Sequence, residues 1–393
     1  MHVLRAAQAF DGERFVASGG GTVDVVLDGD VVVSVGAPVE YAGDVTVEDL
    51  GEVTVLPGLV DGHQHLTWDC SPDPLGWHAD HDDAELLQRG RENARRALAA
   101  GVTTVRDLGG RGLVTLDLRD DLAGDPTAGP TVLAAGPALT TPGGHCWFLG
   151  GECADVTELR AAVGRLAAAG VDVVKVMATG GNVTPGSAPH ESQFGVDELR
   201  AVVESAHGAG LPVAAHAHGA GGVADALTAG VDTIEHVTFM TADGIARDPG
   251  LVERLAASGT PLSLTGASLP GMPPGPALAA RLPALIEHLR GLLTSGASCF
   301  FSTDAGIGPI KPHDALPHGA VLLVELGGQS VARAVAMCTS GPADALRLTD
   351  RAGRLRAGAP ADVLVVQGRL SDDVGALLRP VRVLRHGVDV PLS

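Results

Sequence analysis

Short apolar runs alternate with amphipathic stretches along most of the chain. The runs are rich in β-branched residues and almost continuously apolar, which is typical of parallel strands buried on both faces. They predict eight strands, at 53–60, 102–107, 131–135, 171–178, 212–216, 231–236, 261–264 and 297–303. The amphipathic stretches repeat at helical spacing and predict helices at 84–100, 156–169, 196–209, 222–229, 251–258 and 277–295, while the segment after the second strand has no clear period.

Eight strand–helix units in about 285 residues favour a closed (β/α)8 TIM barrel, an α/β fold, over an open doubly wound sheet. A dinucleotide-binding open sheet would carry a Gly-x-Gly-x-x-Gly motif after its first strand, and this sequence has none there. We therefore expect a TIM barrel, in which functional residues lie at the C-terminal ends of the strands.

The two ends of the chain share a different pattern, with short alternating strands and tight turns. The turns are Asp11-Gly12 and Asp28-Gly29 near the N-terminus and His386-Gly387 near the C-terminus. Together the two ends predict one small β-sandwich domain, made of 1–56 plus 343–393, around a barrel at 57–342.

Composition and charge narrow the class of protein and of partner. Hydrophobic residues make up 45% of the chain, but no stretch has the length and apolarity of a membrane span. The net charge is −20 without any basic run, which argues against nucleic acid and anionic membranes and favours a small-molecule substrate. Five cysteines without a Cys-x-x-Cys pair form no disulfide framework, so we expect a cytoplasmic protein. The sequence leaves open whether the chain forms a homo-oligomer.

Ionisable residues recur at the C-terminal ends of the predicted strands. They are His63, His65, Lys175, His216, His236 and Asp304. His63 and His65 are two residues apart on a strand, so their imidazoles face the same side. Neutral histidine is the commonest ligand of zinc-like ions, and four histidines at one end of a barrel therefore indicate a metal site. Taken singly, His236 also fits a hydrogen-bonded core residue, and Asp304 also fits a helix cap.

Lys175 stands out because only two of the 27 basic residues, Lys175 and Lys311, are lysines. Lys175 lies inside an apolar predicted strand, where an unpaired ammonium group is strongly destabilising. One explanation is an ion pair with a neighbouring carboxylate. The other is that burial lowers the pKa of the amine, which then takes up carbon dioxide and forms a carbamate able to bridge two metal ions.

With these residues the chain resembles the amidohydrolase superfamily. The resemblance covers nearly the whole length of the chain. The histidine pair of the first strand, the lysine of the fourth, the histidines of the fifth and sixth and the aspartate of the eighth match that family's binuclear metal pattern in order. Further segments look like its imidazolonepropionase-related and prolidase-like branch. They are Thr-Pro-Gly-Gly-His at 141–145, Lys-Val-Met-Ala-Thr-Gly-Gly at 175–181, His-Ala-His-Gly at 216–219 and Ala-Gly-Val-Asp-Thr-Ile-Glu-His at 229–236.

The resemblance implies a binuclear metal-dependent hydrolase that cleaves an amide bond of a small molecule by metal-activated hydroxide. It implies two divalent ions, usually zinc, with His63, His65 and Asp304 on one ion, His216 and His236 on the other, and carboxylated Lys175 as the bridge. Asp304 would also act as the general base. The leading substrate is an Xaa-Pro dipeptide or an N-acyl amino acid. Lactone, cyclic imide or imidazolone ring hydrolysis would use the same centre, and an inert scaffold relative is the non-enzymatic alternative.

Candidates for substrate binding are His145, His218, Trp68 and Trp147. His145 follows the third strand in a glycine-rich loop and His218 shares a face with His216, so each either binds a substrate oxygen or packs over the barrel mouth. The tryptophans follow the first and third strands. They either line an apolar substrate pocket or simply pack the loops. Similar proteins often carry a tyrosine at the position of His218 to hold a substrate carboxylate, and the only tyrosine here, Tyr41, lies outside the predicted barrel.

Overall fold

The N-terminal segment forms strands that precede the barrel. The computed structural model describes residues 1–16, 21–271 and 276–392. Its first strands are β1 His2–Ala6, β2 Gln8–Ala9, β3 Val23–Asp28, β4 Val31–Gly36, β5 Thr46–Asp49 and β6 Val53–Pro57. Four of them form one sheet in the order β4-β3-β1-β5, in which β3 pairs antiparallel with both of its neighbours.

The barrel consists of eight parallel strands in chain order. They are β7 Leu59–Gln64, β8 Val102–Asp107, β9 Thr131–Ala134, β10 Val174–Met177, β11 Val213–Ala217, β12 Thr233–His236, β13 Leu262–Leu264 and β14 Cys299–Phe301. Regular pairing between neighbours forms two sheets, β7-β8-β9 and β10-β11-β12-β13-β14. Isolated parallel bridges from Leu139 to Val176 and from Gln64 to Ala305 close the two remaining gaps. The predicted TIM barrel is therefore confirmed.

The C-terminal strands return to the strands at the start of the chain. They are β15 Val363–Gln367, β16 Pro380–Arg385 and β17 Val388–Val390, and they form a sheet in the order β17-β16-β15-β6-β2. One apolar cluster takes residues from both terminal sheets, among them Leu4, Val25, Val55 and Val363. This arrangement agrees with the predicted β-sandwich of both termini. The domain boundaries stay a prediction.

The predicted first strand, 53–60, is wrong as a single strand. It is two strands, because β6 pairs antiparallel with β15 and β7 pairs parallel with β8. Gly58 separates them, and a Cβ at this position would lie 2.1 Å from Thr103 Oγ1 of β8. Only glycine allows the chain to cross this close to its neighbour. The apolar pattern is unbroken here, so hydrophobic periodicity does not reveal the change of sheet.

Helices cover the barrel and follow its strands. The described α-helices are α1 Pro74–Asp80, α2 Asp83–Ala99, α3 Val114–Leu122, α4 Val156–Ala169, α5 Val196–Gly208, α6 Ala220–Ala229, α7 Pro249–Ser258, α8 Pro276–Thr294, α9 Leu316–Glu325, α10 Val331–Ala336 and α11 Ser340–Ala345. Helix α2 begins with a capping box, in which Asp82 and Glu85 accept each other's backbone N–H. Helix α3 occupies the segment without a clear period, and α11 contains the predicted boundary at 342.

Two further predictions concern the surroundings of the protein. Within the described ranges, no helix combines the length and apolarity needed to cross a membrane. All five cysteines are free, as their spacing predicted. The cytoplasmic location stays a prediction.

Candidate metal centre

The six predicted ligands converge at the C-terminal end of the barrel. They are His63 in β7, His65 just after it, Lys175 in β10, His216 in β11, His236 at the end of β12, and Asp304 three residues after β14. Each is at most 6% exposed. His63, His236 and Asp304 form one group whose ligand atoms all lie within 4.8 Å of one another, and His216, His218 and His236 form a second. The structure thus brings together residues that are up to 241 positions apart in sequence.

The strand ends that carry two of these ligands have an unusual backbone. His236, Val237 and Asp304 have positive φ angles of 73°, 51° and 59°. A non-glycine residue in this left-handed region is strained by about 1–3 kcal/mol, and such strain is concentrated at functional sites. The turns after β12 and β14 are therefore held in conformations that the surrounding packing must stabilise.

Each of the four predicted histidine ligands has one ring nitrogen bonded to the protein. The contacts are His63 Nδ1 to Glu235 Oε2 (2.9 Å), His65 Nδ1 to Gly109 O (3.0 Å), His216 Nε2 to Gly180 O (3.0 Å) and His236 Nδ1 to Thr265 Oγ1 (2.8 Å). Metal-binding histidines are typically oriented in this way by a partner on the ring nitrogen that does not bind metal. The buried Nε2 atoms of His63 and His236 have no hydrogen-bond partner in the described part of the chain.

Burial keeps the imidazoles of His63, His216 and His236 in the form that binds metal. Desolvation, with a further contribution from Lys175, lowers the pKa of His63 to about 3. Desolvation also lowers the pKa values of His216 and His236 well below their usual range. The rings are therefore neutral near pH 7, and each keeps a lone pair.

A buried ion pair of Arg106 and Glu235 contacts His63. Arg106 donates to Glu235 Oε1 at 2.8 Å and to Gly62 O at 2.7 Å, and Glu235 is fully buried. Burial alone would raise the pKa of Glu235, but Arg106 and His63 outweigh it and lower the pKa below its usual value. Glu235 is thus a carboxylate that fixes the orientation of His63. Sequence analysis missed both residues, although a charged residue in an apolar strand is the same signal that singled out Lys175.

Lys175 has no ionic partner among the residues that the structure describes. Its Nζ is buried without a hydrogen bond, and no carboxylate oxygen in the described ranges lies within 4.0 Å of it. Desolvation lowers the pKa of this amine to about 8. The ion-pair explanation therefore finds no partner here, and the neutral amine needed for carbamate formation is accessible near neutral pH.

Asp304 lies between histidines and a second lysine. Its Oδ1 is 3.3 Å from Nε2 of both His63 and His65, and its Oδ2 is 3.6 Å from Lys311 Nζ. Burial raises the pKa of Asp304, but Lys311 and the imidazoles outweigh it and hold the pKa well below its usual range. Sequence analysis noted Lys311 as one of two lysines but did not assign it to the site.

This donor set fits divalent ions of the zinc type. Neutral imidazoles, a carboxylate and a buried amine that can be carboxylated are ligands such ions accept. Two buried imidazole nitrogens and a buried amine without hydrogen bonds are otherwise unexplained costs of folding.

A cavity of about 940 Å³ opens over the centre. His145, His218 and Trp68 line it together with the six predicted ligands, and Trp68 Nε1 donates to Gly109 O at 3.2 Å. The lining also includes apolar side chains of α8, among them Leu285, Ile286 and Leu289. Trp147 is not among the residues that line the cavity, and it is 42% exposed. The prediction that Trp147 joins the pocket is therefore not supported by its position.

Comparison with known proteins identifies the family of the chain and some of its relatives. Residues 54–388 match the amidohydrolase family. An ochratoxinase from Aspergillus niger is 27% identical over 376 residues, covering 84% of this chain and 73% of the relative. An imidazolonepropionase from Deinococcus radiodurans is 29% identical over 380 residues, covering 88% of this chain and 85% of the relative.

Solved structures of similar proteins cover nearly the whole chain. An Xaa-Pro dipeptidase with methionine bound in its active site is 28% identical, with a TM-score of 0.83 and 99% coverage of both chains. A prolidase complexed with N-methylphosphonate-L-proline is 25% identical, with the same TM-score and coverage. These matches agree with the branch expected from the sequence motifs.

Proposed function

This chain belongs to the amidohydrolase family, and we propose that it is a binuclear metal-dependent hydrolase that cleaves the amide bond of N-acyl amino acids with bulky apolar groups. That it is a hydrolase acting on C–N bonds follows from the family and from its enzymatic relatives. The observation that carries the finer proposal is the large apolar cavity, which has a partly buried lysine, Lys311, beside the candidate ligand Asp304.

The proposed ligand arrangement is the one that the family resemblance implies, and the six side chains line one cavity. His63, His65 and Asp304 would hold one ion, and His216 and His236 the other, with carboxylated Lys175 between them. Zinc is the proposed metal, because it accepts this mixture of nitrogen and oxygen ligands. Two such ions, when bound, supply Lewis acidity that lowers the pKa of water and polarises the scissile carbonyl.

The protein's own groups handle the proton and the substrate. The Asp304 carboxylate accepts a proton as water attacks, and it then delivers that proton to the leaving nitrogen, which is a poor leaving group until protonated. His145 lines the cavity and its ring contacts that of His216, with centroids 4.8 Å apart. We assign it to substrate oxygen binding.

The cavity wall favours a bulky apolar substrate over a compact Xaa-Pro dipeptide. Its volume lies at the upper end of the range for drug-sized ligands, about 300–1,000 Å³. Leu285, Leu289, Phe301 and Ile310 are among the residues that line it. Burial of apolar groups against such a wall contributes about 25 cal/mol per Å² of apolar surface removed from water.

Lys311 supplies a cation where the carboxylate of an N-acyl amino acid would lie. In such a substrate the carboxylate is one carbon away from the scissile nitrogen, so its partner must be close to the metal ligands. Lys311 Nζ donates to Thr265 O at 2.7 Å and to Thr303 O at 2.8 Å. Among the described residues, its third N–H has only Asp304 Oδ2 nearby, at 3.6 Å, and the side chain lines the cavity. This lysine can replace the tyrosine that similar proteins often carry where this chain has His218.

The test is hydrolysis of matched substrates by the zinc-loaded protein and by Lys311→Met. We expect release of the amino acid from N-acyl amino acids with large apolar groups. For the variant we expect KM to rise about 10- to 100-fold for the acid, because a charge-assisted hydrogen bond is lost. KM should change much less for the corresponding primary amide, which has no carboxylate.

Two results would overturn this assignment. If Lys311→Met affected acid and amide equally, Lys311 would only hold the loops of Thr265 and Thr303 in place. Turnover restricted to lactones, cyclic imides or an imidazolone would exclude the N-acyl amino acid and favour ring hydrolysis. Lys311→Arg is the control, because it keeps the charge and should retain preference for the acid.

A further inference from the structure

His218 lies against two of the predicted metal ligands. It follows β11, two residues after His216, and is 8% exposed. The ring centroids of His218 are 4.7 Å from those of His216 and 4.4 Å from those of His236, and the centroids of His216 and His236 are 4.4 Å apart. Three imidazoles from β11, β12 and the loop after β11 therefore share one buried region.

The hydrogen bonds of His218 have the same form as those of the predicted ligands. Its Nδ1 is 2.9 Å from Thr238 Oγ1, and the Thr238 hydroxyl has its own acceptor in His218 O at 3.5 Å. The hydroxyl thus accepts from Nδ1–H, which makes Nε2 the ring nitrogen with the lone pair. His236 also has a threonine hydroxyl at its Nδ1, with Thr265 Oγ1 at 2.8 Å, and its Nε2 has no partner in the described ranges.

One ring nitrogen of each of the three residues has no protein partner in the described ranges. Gly180 O occupies Nε2 of His216, which leaves Nδ1, and Nε2 is left on both His218 and His236. The ligand atoms of the three residues lie within 4.8 Å of one another. A cation held by these nitrogens would give each of them a partner, and buried polar atoms without a partner are otherwise costly.

We infer that His218 is a third imidazole ligand of the second metal position, so that His216, His218 and His236 can hold one divalent ion without Lys175. The inference rests on the metal centre of the proposed function and not on its substrate. Three histidines with one open position are a ligand set that zinc adopts in catalytic sites. His218 adds no ligand to the other metal position, which consists of His63, His65 and Asp304.

The first arm of the test uses cobalt(II) in place of zinc, because its visible absorption reports on ligand number and type. Apo protein, His218→Tyr and His145→Asn are each loaded with cobalt and compared. We expect a changed spectrum and at least about tenfold weaker binding of one of the two ions in His218→Tyr, since even outer partners of a ligand contribute 10- to 100-fold to affinity. His145→Asn is the matched control, because His145 is also buried and also contacts His216.

The second arm measures the zinc content of Lys175→Ala alone and combined with His218→Tyr. We expect about one ion per chain in Lys175→Ala and its loss in the double variant, with circular dichroism verifying that both are folded. An unchanged cobalt spectrum in His218→Tyr, or equal zinc content in the single and double variants, would overturn the inference. A wild-type chain that binds no metal would instead overturn the proposed function itself.

Discussion

Asp304→Asn is expected to lower turnover by about 10²- to 10⁴-fold, the range typical of lost general acid–base catalysis. Asparagine keeps the shape of the side chain but cannot accept a proton. Asp304 has the position for this role because its carboxylate lies 3.3 Å from His63 and His65 and borders the cavity. Substrate binding should change much less than turnover.

The measurement is steady-state kinetics together with the metal content of the variant. Metal content matters because Asp304 is also a proposed ligand, so turnover must be compared between equally loaded proteins. If the loaded variant turned over within a few-fold of the parent, Asp304 would be a ligand only. Another group that lines the cavity, such as His145 or His218, would then move the proton.

Lys175→Ala is expected to abolish binuclear loading and hydrolysis together. Its Nζ is buried without a partner, so alanine removes the group that a carbamate needs, while no ion pair among the described residues is broken. Short-chain carboxylic acids added to the variant should restore part of the activity by supplying the missing bridging oxygens.

Lys175→Arg separates carboxylation from simple charge. A guanidinium stays protonated and does not form this carbamate, so the arginine variant should also lose binuclear loading and activity. Full metal content and activity in Lys175→Arg would show that a positive charge is enough at this position. The carbamate would then have no role.

The ligand positions could be predicted because they depend on the barrel. In a TIM barrel the C-terminal ends of all strands meet at one face, so His63, Lys175, His216 and Asp304 could be grouped from strand order alone. The apolar runs that reveal the strands are also what buries these residues. Strand 53–60 was misassigned because an unbroken apolar run contains no sign that Gly58 separates two sheets.

The residues that support the ligands could not be predicted in the same way. Arg106 and Glu235 are 129 positions apart, and their contact depends on side chains meeting across the barrel interior. Thr238 and Thr265 are ordinary loop residues in the sequence and acquire a role only from their distances to His218 and His236. The position of Trp147 outside the cavity could not be predicted, because the strand pattern does not give the direction of a loop side chain.

Elemental analysis of the purified protein tests the central claim most directly, because both the mechanism and the ligand assignment require the ions. The account predicts close to two divalent ions per chain, mainly zinc. Their removal by a chelator should abolish amide hydrolysis, and reloading should restore it. A fully folded protein that hydrolyses its substrate with no bound metal would contradict the account.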